Sequence, residues 1–496
     1  MTRNQLRPNI VVNLIRTLTI TLLSFISFPF ASTALGDIAM GQYSWANTFV
    51  YFFLIIAKLG IPTVAIRECA KVKDDPVELN KKIQTYFFLQ LITTVASYAL
   101  MLIIIFGFND AVVDFTSRPL VMLLSLNFLI GVFSFEWVYI ALEKHFYIAF
   151  RSILTGSLGL LLVIMFVKND RHLFTYAFLA LFTTFATVTA NLFMLKKEKV
   201  SLLPKSRIVL KGAIKPLIIV FLITLIVTAY NQADSLLLGY VDESKSLVGS
   251  YAVGIRGIEI VITIITSLSA VFIPRATMAI KNKNYKDFDQ ITNYSTNITF
   301  FIALPAVTMM VLMAPQIVGF IVTSDIYWTQ SAIDNAVWAI MILASLMFTY
   351  SLADNIYQQV LLPLGKEKLY FYTMIGGLAL NLTLSVVSVF TLFKNHPLIG
   401  VSLATMLSDV IVLIVIIAVT RKYVFKNIFN LNNLKIVFAT ALIAVFTYFV
   451  TPLLNVTNPL SLIFIMILVS GVIYVITLML LKEDIVLETF RKTKQK

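Results

Sequence analysis

Long apolar runs, separated by short polar connections, fill almost the whole chain. About twenty consecutive apolar residues suffice to cross ~30 Å of hydrocarbon as a helix. Runs of that kind cover 8–33, 39–66, 78–107, 118–141, 146–167, 173–195, 213–238, 246–274, 288–313, 333–362, 369–393, 398–420, 434–454 and 459–481. The pattern predicts fourteen transmembrane helices in an all-α integral membrane protein. The thinnest division lies between the fourth and fifth, where only Leu142 to His145 separate two apolar runs.

Composition agrees with the pattern. Of 496 residues, 59% are hydrophobic and only 13% charged, against roughly 25% charged in a soluble domain. Lipid must solvate most of this surface. The net charge of +14 does not point to nucleic acid, because the cations sit in short loops, where they set orientation. Cys69 is the single cysteine, which excludes an internal disulfide and a thiolate metal site. His145, His172 and His396 are scattered and form no ligand cluster. No metal and no cofactor is expected. The first apolar run is too long for a cleaved signal and contains Arg16.

The loop cations test the helix count. One alternating set of segments holds Arg3 and Arg7, a basic 67–82 loop, Lys144 and Arg151, a basic 196–215 loop, Arg275 to Lys286, Lys366 and Lys368, Arg421 to Lys435, and the tail. The opposite set holds only Arg118, Lys168, Arg171, Lys245 and Lys394. Basic loops remain cytoplasmic, so both termini are expected inside. Trp45, Trp328 and Trp338 fall near outer helix ends and Trp137 near an inner one, which fits interfacial belts.

An internal repeat is visible. Leu35-Gly36 and Gly41-Gln42-Tyr43 open the second helix, as Leu238-Gly239 and Gly249-Ser250-Tyr251 open the eighth. Arg67 and Arg275 follow their tyrosines at the same spacing and read as topological anchors. The halves hold six helices each and therefore share one orientation, a parallel repeat. The expected domains are 1–200 (helices 1–6), 201–425 (helices 7–12) and 426–496 (helices 13–14 and a cytoplasmic tail).

Three cations lie deep inside apolar runs, away from their ends: Arg16, Lys58 and Arg256. A cation at bilayer depth costs at least ~2.5–3.5 kcal/mol and is seldom left without a partner or a wet cavity. Helix one carries Asn13, Thr17, Thr21, Ser24 and Ser27 on the same face as a polar stripe, suited to a cavity or to a neighbouring helix. Arg16, Lys58, Arg256 and Asn13 are the candidate substrate-binding residues. Glu259 stands one turn from Arg256 and can pair with it. Asp234, Glu259, Asp354 and Asp409 are candidates for coupling or gating. Glu136, near an inner helix end, reads as solvated. No Gly-rich nucleotide loop or soluble catalytic domain interrupts the plan, so an enzyme is not expected.

Several short motifs recur in a familiar order. They are Leu35-Gly36 with Gly41-x-Tyr43-Ser44, Leu59-Gly60-Ile61 before Arg67-Glu68, and Glu136-Trp137 with Leu142-Glu143-Lys144. Asp234 before Leu238-Gly239, Val248-Gly249-Ser250-Tyr251, Pro274-Arg275, Leu362-Pro363-Leu364-Gly365-Lys366 and Gly400-x-x-x-Ala404-Thr405 complete the series. In this the chain resembles the polysaccharide flippases of the multidrug/oligosaccharidyl-lipid/polysaccharide exporter superfamily. The resemblance implies two six-helix lobes around a central cavity, in a bacterial cytoplasmic membrane. It implies movement of an undecaprenyl-diphosphate-linked oligosaccharide to the outer leaflet for lipopolysaccharide or capsule assembly. Cavity cations on helices one, two and eight would receive the diphosphate; here these are Arg16, Lys58 and Arg256, one of them a lysine. The expected partners are the lipid-linked oligosaccharide, membrane lipid, and a polysaccharide polymerase or chain-length regulator. A multidrug–cation antiporter of the same superfamily and a membrane polysaccharide polymerase or ligase stay open as alternatives.

Overall fold

The computed structural model describes residues 3–108, 112–198, 200, 214–323 and 326–487, with side chains from Ile15 onward apart from Val12. Every regular element among them is helical. Thirteen helical stretches are long and apolar enough to cross a membrane. The first helix, α1 (Arg3–Lys58), has 56 residues, or about 84 Å at 1.5 Å per residue, far more than one crossing needs. It is broken at Gly36, whose φ of 78° and ψ of 178° are non-helical, so α1 supplies two crossings and the described residues hold fourteen. The other crossings agree with the apolar runs to within a few residues. The main difference is the twelfth, which continues as helix through Arg421 and Lys422 to Ile428.

The chain divides into two compact units, Met1–Gly249 and Ser250–Lys496. In the first, α1 is followed by α2 (Ile61–Ala70), α3 (Pro76–Gly107), α4 (Arg118–Gly131), α5 (Glu136–Ala141), α6 (His145–Phe166), α7 (Leu173–Lys197) and α8 (Ile214–Val241). The helix α9 (Ser246–Ala270) starts here and continues into the second unit. Helices α3, α4, α6 and α8 pack along α1, and α2 packs on α5. Hydroxyls on α3 fasten it to α1: Thr93 donates to the Ala57 carbonyl at 2.6 Å and Ser97 to that of Phe53 at 2.7 Å. Such bonds hold helices together where apolar burial gives little driving force.

The second unit continues with α10 (Ile273–Lys281), α11 (Tyr285–Leu312), α12 (Ala314–Ile321), α13 (Gln330–Leu343), α14 (Leu346–Ile356), α15 (Glu367–Val387), α16 (Pro397–Ile428), α17 (Leu431–Val450) and α18 (Pro459–Leu480). Helices α11, α13, α14 and α15 all pack on α16. The last two helices join through Thr447 and Ser470, whose hydroxyls lie 3.1 Å apart, and Tyr474 anchors α18 to the Phe301 carbonyl at 3.0 Å.

Local chemistry sets the helix starts. Asp75 accepts from the backbone N–H groups of Val77 and Glu78, with Pro76 as the first helical residue of α3. Asn284, Thr329, Asn430 and Asn458 cap α11, α13, α17 and α18 in the same way. Each cap is worth about 1 kcal/mol. The repeat is legible in the backbone too: α1 ends at Lys58 and α9 at Ala270, each is followed by a short break, and each short helix beyond (α2, α10) has a proline in its first turn. Of the four tryptophans, Trp45, Trp137 and Trp328 are buried against the protein and Trp338 is exposed, so three of the rings do not face lipid. Trp45 stacks on Phe49.

Candidate functional site

The site is built on a broken crossing. Between α4 and α5 a single 3-10 turn, Val132–Ser134, leads to Phe135 with φ 47° and ψ 20°. A left-handed phenylalanine is strained, and such strain persists only where its surroundings hold it. Phe135 is fully buried and packs on Phe87 and Trp137, with ring centroids 5.0 and 6.4 Å away. Glu136 is the residue that follows.

Asn191 of α7 stitches the break. Its amide donates to the Ser134 carbonyl. Its side-chain oxygen accepts from Arg151 Nη1 at 2.8 Å and from the Tyr147 hydroxyl at 3.0 Å. Its backbone carbonyl accepts from the Tyr139 hydroxyl. A backbone break at membrane depth needs such partners, because lipid offers none.

Glu136 bridges two guanidinium groups. Its Oε1 lies 3.1 Å from Arg16 Nη1 and its Oε2 3.2 Å from Arg151 Nη2. Arg151, read from the sequence as a loop cation, is buried inside α6. Lys58 stands at the end of α1, within the field of the Glu136 carboxylate, and has no hydrogen-bond or ion-pair partner among the described residues. Two guanidinium groups thus share one carboxylate, with the Lys58 ammonium in its field. Next to them opens a cavity of about 360 Å³ lined by Lys58, Tyr43, Asn47, Gln90, Asn127 and Ser134, among others. Gln90 and Asn127 each leave a buried side-chain oxygen without a partner among the described residues. A polar cavity that holds a free ammonium and unsatisfied amides is suited to an anionic, hydroxyl-rich guest.

The remaining candidates lie elsewhere. Asn13 is on α1, but its side chain is outside the described residues. Asp234 is buried on α8. In the second unit Arg256 and Glu259 pair at 2.8 Å on an exposed face of α9. Asp354 accepts from Gln358 at the start of a π-helical turn, Tyr357–Leu361. Tyr357 there stacks on Tyr370, with centroids 4.1 Å apart. Asp409 is buried and accepts from Thr349. The structure therefore brings Arg16 and Lys58 together around Glu136. It adds Arg151 and Asn191, which the sequence reading did not select. Arg151 carried the same signal as Arg16, a cation inside an apolar run; Asn191 carried none.

Comparison with known proteins places the chain. The family model for polysaccharide biosynthesis proteins matches residues 6–280, more than half of the sequence, and the MatE model matches residues 216–387. No protein of curated function matches at the sequence level. Among solved structures, the lipid II flippase MurJ in an inward closed conformation is similar at a TM-score of 0.71 and 15% identity, over 95% of this chain and 99% of that one. An inward-facing multidrug resistance MATE transporter is similar at 0.63 and 14%, over 84% and 98%. A MOP superfamily transporter from Pyrococcus furiosus is similar at 0.58 and 17%, over 84% and 96%. The chain belongs to the polysaccharide biosynthesis protein family and has the fold of the MOP superfamily flippases and transporters.

Proposed function

We propose that this protein is an alternating-access flippase for undecaprenyl-diphosphate-linked oligosaccharide repeat units, which it carries from the cytoplasmic to the outer leaflet for lipopolysaccharide or capsule assembly. Its membrane would be the bacterial cytoplasmic membrane, with both termini cytoplasmic. The observation that carries the reading is the surplus of positive charge in the first unit: Arg16, Arg151 and Lys58 around a single Glu136, next to a polar cavity. A diphosphate linking a lipid to a sugar bears one negative charge on each phosphate, which matches that surplus. The tyrosines and amides of the cavity offer stacking faces and hydrogen bonds to saccharide hydroxyls. Arg256, exposed on α9, would meet the headgroup later in the cycle. Asp234, Asp354 and Asp409 are left for coupling to an ion or proton, and Glu259 for gating with Arg256.

The test is genetic and biochemical. A strain with Arg16→Ala or Lys58→Ala should hold normal amounts of folded protein in its membrane, lose surface polysaccharide and accumulate the lipid-linked repeat unit on the cytoplasmic side. Normal polysaccharide export in both variants would overturn the reading. The antiporter alternative is favoured by one observation, the buried acid Asp409. It predicts that deletion sensitises cells to cationic drugs while surface polysaccharide stays intact.

A further inference from the structure

We propose that Glu136 is an exchangeable counterion: it neutralises Arg16 while the site is empty and cedes that guanidinium to an incoming phosphate, staying bound to Arg151. This rests on the phosphate reading above and specifies how the site admits and releases its guest.

The two arms of the bridge are built differently. On one side, Arg151 is buried, with its side chain 5% exposed, and is held at two points besides Glu136: Nη1 donates to Asn191 at 2.8 Å, and Nη2 also reaches Ser152 at 3.0 Å. Asn191 is itself tied to Ser134 and Tyr147. That arm cannot move without dismantling the repair of the helix break. On the other side, Arg16 has Glu136 as its one hydrogen-bond partner among the described residues. Its Nε, like that of Arg151, has no acceptor among the described residues, but its side chain is 22% exposed against 5% for Arg151. Glu136 itself is 36% exposed. The loose arm is the more exposed one.

Electrostatics gives the arrangement a purpose. A guanidinium left unpaired at this depth would be costly, and a permanently tight pair would exclude the substrate. A carboxylate that offers one oxygen to each arginine keeps Arg16 paired in the empty state. A phosphate can then replace one charge-assisted contact with another of similar strength, and the reverse exchange lets the substrate leave. Lys58, which has no partner of its own, supplies the net attraction. The left-handed Phe135 sets the backbone position of Glu136, and Arg151 holds its carboxylate at 3.2 Å, so the competitor stays at the site.

The test uses the full chain in phosphatidylcholine nanodiscs, with geranyl diphosphate as a soluble probe and calorimetry as the readout. If Glu136 competes with phosphate for Arg16, Glu136→Gln should bind the probe about tenfold more tightly than wild type, equivalent to ~1.4 kcal/mol, while export in cells falls because release slows. Glu136→Asp, which keeps the charge, should bind within about threefold of wild type. The gain should vanish when Arg16→Ala is added to Glu136→Gln. Weakened binding in Glu136→Gln, parallel to that in Arg16→Ala, would mean that Glu136 only positions Arg16, and would overturn the proposal. If Glu136→Gln does not fold, as judged by its melting temperature, the Asp variant decides: a loss of affinity as large as that of Arg16→Ala overturns the proposal, and near-native affinity supports it. The phosphate reading fails separately if wild type and Arg16→Ala bind the probe equally, whatever Glu136 does.

Discussion

Gly41 faces the backbone carbonyl of Lys245 with no room for a side chain: a Cβ at Gly41 would stand 1.8 Å from that oxygen. Gly249 answers it, since a Cβ there would stand 2.1 Å from the Asp37 carbonyl. The glycines that lead the two Gly-x-Tyr motifs thus stand where the backbones of α1 and the start of α9 are in close contact. Ser246 reinforces it by donating to Asp37 at 2.7 Å, and buried Lys245 stands 5.0 Å over the Trp45 ring. Close approach of this kind is what small residues allow between membrane helices.

Gly41→Ala should therefore force the turns apart. Overpacking of a tight contact costs typically ~1–3 kcal/mol, so the melting temperature in detergent should drop and export should fall. Gly376→Ala is the control, because nothing lies within 4 Å of a Cβ there. It should be neutral or slightly stabilising, as expected for a glycine replaced inside a helix. Equal effects from both substitutions would show that the contact is not tight.

The crossings were legible because their signal is local. A run such as 369–393 is apolar over its whole length, and the structure places a helical stretch at Glu367–Leu392. The site was only half legible. Arg16 and Lys58 announce themselves as cations in apolar runs, but Glu136 lies 120 positions from Arg16, and only the fold brings them together. The break at Phe135 is poorly marked: Gly131 closes α4 but keeps helical angles, and the left-handed conformation falls on Phe135, which packs against Phe87 and Trp137. The burial of Trp45 was hidden for the same reason. Its surroundings, Lys245 and the bare face of Gly239, come from a distant hairpin.

Lys73 and Glu143 join the loop after α2 to the loop after α5 at 2.8 Å. The hydrogen bond to the Glu143 carboxylate raises the Lys73 pKa above its ordinary 10.5. For a lysine raised in the folded state, the pair's contribution is fully present below the unfolded value and is lost as pH rises through the folded one. The pair should therefore give no pH dependence of stability across the neutral range. Carbon-13 NMR of reductively methylated protein should show Lys73 titrating late, and Glu143→Gln should bring it back toward the ordinary value. A Lys73 titration unmoved by that substitution would contradict the contact.

Asn191 should be the most sensitive position in the first unit. Asn191→Leu strands the Ser134 carbonyl, the Tyr147 hydroxyl and one nitrogen of Arg151. Each buried group left unsatisfied costs ~1–3 kcal/mol, so thermal unfolding should show a large loss and the protein should accumulate poorly. Asn191→Asp keeps acceptors for Arg151 and Tyr147 and loses only the donor to Ser134, so its loss should be clearly smaller. Equal melting temperatures for the two variants would mean that the network does not hold the break.

Arg256 and Glu259 separate a structural role from a functional one. Their side chains are 53% and 45% exposed, and an exposed pair one turn apart is worth only ~0.3–0.5 kcal/mol. The reversed pair, Arg256→Glu with Glu259→Arg, retains the contact one turn along, so its melting temperature should match wild type. If Arg256 meets the substrate phosphate on the way out, the same reversal puts a carboxylate in the anion's path. A lost charge-assisted hydrogen bond is worth ~1.5–3 kcal/mol, so export should fall by about tenfold or more. Export and melting temperature measured on the same variant decide the matter. Both unchanged would confine the pair to the surface of α9, and a stable protein that no longer exports would place Arg256 on the substrate's route.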